Sequence, residues 1–329
     1  MVIKTVLMLL LYTAPIVIIS TGIINSSLIS IILYILSGLG MAGIGMGIMH
    51  DANHSSYSKH NWLNRALRNS VDCLGINSNL WRYQHNVLHH TYTNIHGHDE
   101  DIDAPLFLLR FSPYSKRYKI HRFQHLYIWV FYSILTLYWF SVKDFKKLFE
   151  YRKMGLITTK KEVARILVKL IFIKVLYLGY ALILPIYMAP FSGWWIILGF
   201  ICMHLVAGLL LSVVFQLAHV VPNMDFPQPE ENYNIEQNWY IHQLQTTSNF
   251  SPKSKFLNWY FGGLTNQIEH HLFPNICHVH YYNLSRIVAR TANDFKIPYH
   301  VNKSFLTAVK GHVKTLKRMA RVETIRLTH

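Results

Sequence analysis

The chain has 329 residues, 51% of them hydrophobic, with 20 histidines and a formal net charge of +16. A mean hydropathy of +0.19 is too low for a protein made only of membrane helices and suits a membrane part carrying a large polar cap. Nucleic-acid binding, the usual alternative explanation of such charge, is set aside because anionic head groups beside membrane spans account for it.

Four apolar stretches, Thr5–Ile24, Leu28–Met49, Val175–Pro190 and Trp194–Ala218, carry no charged residue. A helix rises about 1.5 Å per residue, so roughly 20 residues cross a hydrocarbon core of about 30 Å. Spans are expected over 5–24, 28–49, 170–190 and 194–218, the first containing Pro15 and the third extended by snorkelling Lys169 and Lys174. No small-residue cleavage pattern follows the first stretch, which is therefore expected to stay as a span rather than leave as a signal peptide. Between the second and third spans, His125–Ser141 is apolar, dense in Tyr and Trp, and flanked by Arg122 and Lys143. It is expected to lie in the interface as a helix over about 122–142.

The links Asn25–Ser27 and Phe191–Gly193 are uncharged, whereas Lys and Arg crowd 59–161 and 286–326. The positive-inside rule then places both termini and both basic regions on the cytoplasmic side. Cys73, Cys202 and Cys277 form no CxxC pair and no even framework, which fits a reducing cytoplasm. The expected fold is all-α and integral to the membrane: one domain over 1–329, with four transmembrane helices and a cytoplasmic helical cap from 50–165 and 219–329.

The histidines are clustered: His50-Asp-Ala-Asn-His54, His85-Asn-Val-Leu-His89-His90, Gln267-Ile-Glu-His270-His271, and His219 alone at the end of the fourth span. On a helix, residues four apart share a face, so His50 with His54, His85 with His89 and Gln267 with His271 could each grip one site. His89 and His90 diverge by about 100° around a helix axis, so one helix could serve two metal ions. Imidazole suits iron, zinc and copper alike, and converging clusters would make a dinuclear site. Four spans return His219 and the last cluster to the side where the first two already lie.

These boxes, the run Trp81–Asn94 and the run Gly262–Pro274 resemble the membrane fatty acid desaturases over about 50–274. The QxxHH third box is similar to front-end desaturases and bacterial linoleoyl-CoA desaturase-like members. The resemblance implies a cap holding two iron ions, with His50, His54, His85, His89, His90, His219, His270 and His271 as ligands. Gln267 stands where many acyl-CoA desaturases carry a ninth histidine. It further implies an acyl-CoA, acyl-carrier protein or acyl-lipid substrate, O2, and membrane lipid around the spans. There is no HPGG haem motif, so no fused haem is expected and electrons come from an external ferredoxin or cytochrome b5. Zinc is expected to fill such nitrogen-rich sites in overexpressed samples. The N-terminus begins very close to the first span, so a lead segment is expected to precede it in the family pattern.

Removing two hydrogens from unactivated methylenes is beyond acid–base chemistry of side chains, so the metal must carry the reaction. Residues expected to orient the imidazoles are Asp51, Asn86, Asn94, Glu269, His242 and the acidic run Asp99-Glu100-Asp101-Ile-Asp103, whose alternative is a solvated turn. His121 and His125 are expected at the surface, and His204, about 22 Å from His219 along a helix, in a helix–helix hydrogen bond. The glycines of 37–47 are expected to let helices approach closely. Trp81, Trp239 and Trp259 suit either interface anchoring or the wall of a substrate channel. A histidine-box hydroxylase differs in its product, which gains an oxygen. A metal transporter would place its ligands within the spans rather than at their ends.

Overall fold

The computed structural model describes residues 1–102, 107–229, 235 and 238–325. It is built almost wholly of helices, with one two-residue parallel strand pair, Asn249–Phe250 against Val301–Asn302. Among the described residues, four helical runs are long and apolar enough to cross a membrane: Val2–Ser20, Ser27–Asn53, Lys160–Met188 and Gly193–His219. A further pair, Lys119–Ser133 and Leu135–Lys153, passes the same test only when taken together and is bent by 56° at its break. The chain divides into two compact units, 1–83 with 130–212 and 84–129 with 213–329.

In the first unit, the glycines allow the expected close approach. A Cβ on Gly40 would lie 2.4 Å from Tyr12 N, and one on Gly38 would lie 2.5 Å from Met203 O. Ser37 Oγ donates to Tyr12 O at 2.9 Å across the same contact. The helix that carries the expected third span begins at Lys160, and Lys169 and Lys174 within it are paired rather than snorkelling. Lys169 Nζ lies 2.7 Å from Asp72, and Lys174 Nζ lies 3.1 Å from the buried Asp144 carboxylate and donates to Gly75 O at 2.9 Å. A paired charge costs much less at depth than a lone one, so the helix need not wait for an uncharged stretch. His204 makes the expected interhelical contacts, with Tyr177 Oη at 2.8 Å and Thr136 Oγ1 at 3.1 Å.

The second unit holds the last turns of the fourth span and the helices Trp239–Thr246, Gln267–Leu272, Tyr281–Asp294 and Phe305–Met319. Leu244, Ile268, Leu272 and Val288 form a shared apolar core among three of these helices. Arg110 is fully buried, and its guanidinium donates to the carbonyls of Pro113, Ser115, Met319 and Val322. That arrangement caps the C-terminal helix, whose last carbonyls would otherwise lack donors.

Candidate metal centre

Two of the histidine-bearing helices contain π turns, Ile44–Met49 before the first box and Tyr83–His89 through the second. A π turn has i→i+5 hydrogen bonding and often marks a functional site. His50 and His54 follow the first π turn in the first unit, both buried, with ring centroids 5.0 Å apart. Trp81, 4% exposed, packs edge-on against His50 at 5.8 Å, so it is no surface anchor.

In the second unit the rings of His85 and His89 stack with centroids 5.4 Å apart, as helical spacing suggests, and the π turn adds a pairing that it does not suggest. His85 Nε2 lies 3.2 Å from Nε2 of His90, five residues on, and His90 Nε2 lies 3.0 Å from His270 Nε2. His89 also faces His219 and His271, and the three rings form a near-equilateral triangle with centroids 4.8, 4.8 and 4.9 Å apart. Ligand nitrogens of His89, His219 and His271 lie within 4.8 Å of one another, as do those of His90, His270 and His271. Gln267, one turn before His271, is 1% exposed, and its Nε2 has no hydrogen-bond partner among the described residues.

For four of these imidazoles, those of His89, His219, His271 and His270, the other ring nitrogen has a named partner. His89 Nδ1 lies 3.1 Å from Asp99 Oδ1 and 3.3 Å from Asp101 Oδ2. Burial alone would lower the His89 pKa, but these two carboxylates push it up to about 9, and as the acceptors for Nδ1 they favour the neutral tautomer with its proton there when Nε2 binds a cation. His219 Nδ1 donates to Thr246 O at 3.1 Å, and His271 Nδ1 to Gln243 Oε1 at 2.8 Å. His270 Nδ1 approaches the Tyr281 hydroxyl at 3.4 Å. In the neutral ring with its proton on Nδ1, Nε2 keeps its lone pair.

The Nε2 atoms of His89 and His219 are buried and lack a hydrogen-bond partner among the described residues. Lone pairs turned toward one another in a dry interior repel unless a cation neutralises them. The separations of His90 from His85, 3.2 Å, and from His270, 3.0 Å, match the edge of a metal coordination shell, about 3.0–3.4 Å for bonds of about 2.1 Å. This donor set is all imidazole, which suits iron, zinc or copper, and the residues fit a metal ion.

Residues 26–303 match the family model described as fatty acid desaturase. The chain belongs to the fatty acid desaturase family. It is 37% identical over 286 residues to an sn-1 linoleoyl-lipid 6-desaturase of Arthrospira platensis, covering 87% of this chain and 77% of that protein. It is 36% identical over 288 residues to a Synechocystis protein of the same name, covering 86% and 78%. An acyl-lipid (8-3)-desaturase of Physcomitrium patens is 35% identical over 300 residues, covering 91% and 62%. The desaturase is thus an oxidoreductase of fatty acyl chains in a membrane-bound, metal-dependent and O2-dependent family.

Several residues expected around the ligands fall where they can act, and others do not. Asp99 and Asp101 bind His89, so this part of the acidic run is no solvated turn; Asp103 lies outside the described residues. Asn94, at φ 60°, donates to His219 O at 3.2 Å. Glu269 is buried between Asn249 Nδ2 at 2.8 Å and the Tyr299 hydroxyl at 2.9 Å, tying the third box to the C-terminal segment. Burial pushes its carboxyl up to about 7. Asp51 lies beside His50, 3.9 Å from its Nδ1, and Asn86 is half-buried on the π turn.

His121 is buried rather than at the surface, with Nε2 2.7 Å from Phe107 O, because its ring closes the turn before the helix. His242 reaches Thr93 O at 2.9 Å and none of the ligand imidazoles, whereas its neighbour Gln243 does. A glutamine carries no motif signal, and only its position one turn from both Trp239 and Thr246 distinguishes it.

Proposed function

We propose that the enzyme inserts a double bond into an acyl chain carried on a membrane lipid, using two iron ions. The candidate ligands are His89, His219 and His271 on one side and His85, His90 and His270 on the other. The family resemblance assigns the same role to His50 and His54, and Gln267 stands where many relatives carry a ninth histidine. The observation that carries the reading is the convergence of the buried His89, His219 and His271 imidazoles, whose Nδ1 atoms are each held by an acceptor and whose ligand nitrogens lie within 4.8 Å of one another.

Iron, when bound, supplies the O2 activation that no side chain offers. The overall change is balanced: two hydrogens from adjacent methylenes, two electrons and two protons from outside, and O2 give one alkene and two waters. The protein's residues do the rest. Asp99 and Asp101 hold the His89 ring in one tautomer, Thr246 and Gln243 do so for His219 and His271, and burial of all six rings keeps bulk water away.

The printed names of the relatives refer to linoleoyl-lipid and acyl-lipid substrates, which supports a lipid carrier over CoA or carrier protein. Electrons come from a separate ferredoxin or cytochrome b5, and a net charge of +16 suits an acidic donor. The active site and both termini face the cytoplasm.

Expression in a desaturase-deficient host, followed by fatty acid and lipid-class analysis, tests this directly. A new unsaturated acid, enriched in intact glycerolipids and absent from a His89→Ala variant expressed to the same level, is expected. A product heavier by one oxygen would mean hydroxylation, and enrichment in the CoA pool would move the substrate off lipid.

A further inference from the structure

The helix Trp239–Thr246 contributes no imidazole to the cluster, yet one face of it touches three of the candidate ligands. Trp239, Gln243 and Thr246 follow one another at helical spacing along that face. Trp239 Nε1 points to His90 O at 3.4 Å, and Thr246 O accepts from His219 Nδ1 at 3.1 Å. Gln243, fully buried, stands between them. Its Oε1 accepts from His271 Nδ1 at 2.8 Å, with Thr93 Oγ1 3.0 Å away, and its Nε2 donates to His90 O at 3.2 Å.

The amide can face only one way. Rotated by a half-turn, Oε1 would sit against the His90 carbonyl, two acceptors in a dry interior, and Nε2 would aim a donor at His271. The observed orientation satisfies both neighbours and thereby settles the tautomer of His271: proton on Nδ1, lone pair on Nε2. It also joins the second box to the third, because one short side chain binds the His90 backbone and the His271 ring together.

We propose that Gln243 is a positioning residue that orients His271 and fixes its spacing from His90. The inference rests on the reading of His271 as a metal ligand. Outer partners of this kind typically change metal affinity about 10–100-fold when removed. Gln243 acts through hydrogen bonds alone, so the acceptor for His271 is what must be kept. Gln243→Glu keeps that acceptor, and as the protonated acid its second oxygen can still donate to His90 O, whereas Gln243→Leu loses both.

The test uses the full chain purified in detergent and loaded with ferrous iron. Iron retained per chain is measured under graded chelator challenge, and the ferrous magnetic circular dichroism bands are recorded for each protein. Gln243→Leu is expected to hold iron about 10–100-fold more weakly. Gln243→Glu is expected to restore most of that retention, with ligand-field bands shifted because a carboxyl replaces the amide as the acceptor for His271. A Leu variant with wild-type retention and unshifted bands would overturn the assignment. Equal losses in the Leu and Glu variants would also overturn it, since the acceptor would then not matter. Wild-type protein that retains no iron would fail at the earlier step and remove the metal reading itself.

Discussion

His312 shows how burial alone sets a residue's behaviour. It is 1% exposed, its Nδ1 lies 2.7 Å from Val220 O, and desolvation pushes its pKa down to about 4. The unfolded chain, with an ordinary histidine pKa of about 6.5, therefore binds a proton that the folded chain refuses. Stability is fully present above about pH 6.5 and falls as pH drops toward 4, by up to about 3 kcal/mol. A His312→Asn variant, which keeps an amide donor for the carbonyl, is expected to lose less melting temperature between pH 7.5 and 5 than wild type. Equal losses in thermal scans of the two proteins would mean that other groups carry the acid sensitivity. His312 belongs to no box, and no spacing in the chain marks it. The box histidines differ because their residue type and spacing are themselves chemical statements.

Among the elements, the third span and the π turns depart most from a reading of the chain. Lys174 sits in an apolar run, and local sequence suggests a snorkelling end. Its partner Asp144 lies thirty residues earlier and also accepts from Asn77 N at 3.1 Å and Trp139 Nε1 at 3.0 Å. Breaking a buried pair by removing one partner costs about 3–5 kcal/mol, whereas replacing both by apolar residues is often close to neutral. Lys174→Met is therefore expected to unfold far more readily than the Lys174→Met, Asp144→Leu double variant. Detergent-solubilised thermal melts decide it, and additive losses in the double variant would show the pair to be uncoupled. The π turn of the second box has a comparable effect. The residues of the box are legible in the chain, but which of them face each other is not, because α-helical and π-helical turns put different neighbours on one face. His85 meets His90 at 3.2 Å for that reason.

For the whole molecule, four long apolar helices and a net charge of +16 support an orientation with both termini in the cytoplasm. In a background with Cys73, Cys202 and Cys277 replaced by Ser, a Lys314→Cys variant is expected to resist a membrane-impermeant maleimide in intact cells and to react in inverted vesicles. Labelling in intact cells would invert the assigned topology. The bent pair Lys119–Ser133 and Leu135–Lys153 is the segment on which such an inversion would turn.

What the chain by itself determined was periodic or compositional: the four apolar runs, the glycines that let helices touch, and the three boxes with His219. Those features are written locally, since hydrocarbon thickness and metal chemistry each require a residue type at a set spacing. The tertiary structure decided which imidazoles face one another, which acceptor holds each ring, and that Gln243 rather than His242 reaches His271. These depend on contacts between residues up to 180 positions apart, as between His90 and His270. A hydrogen-bond partner is chosen by where the folded backbone delivers it, and no local pattern carries that distance.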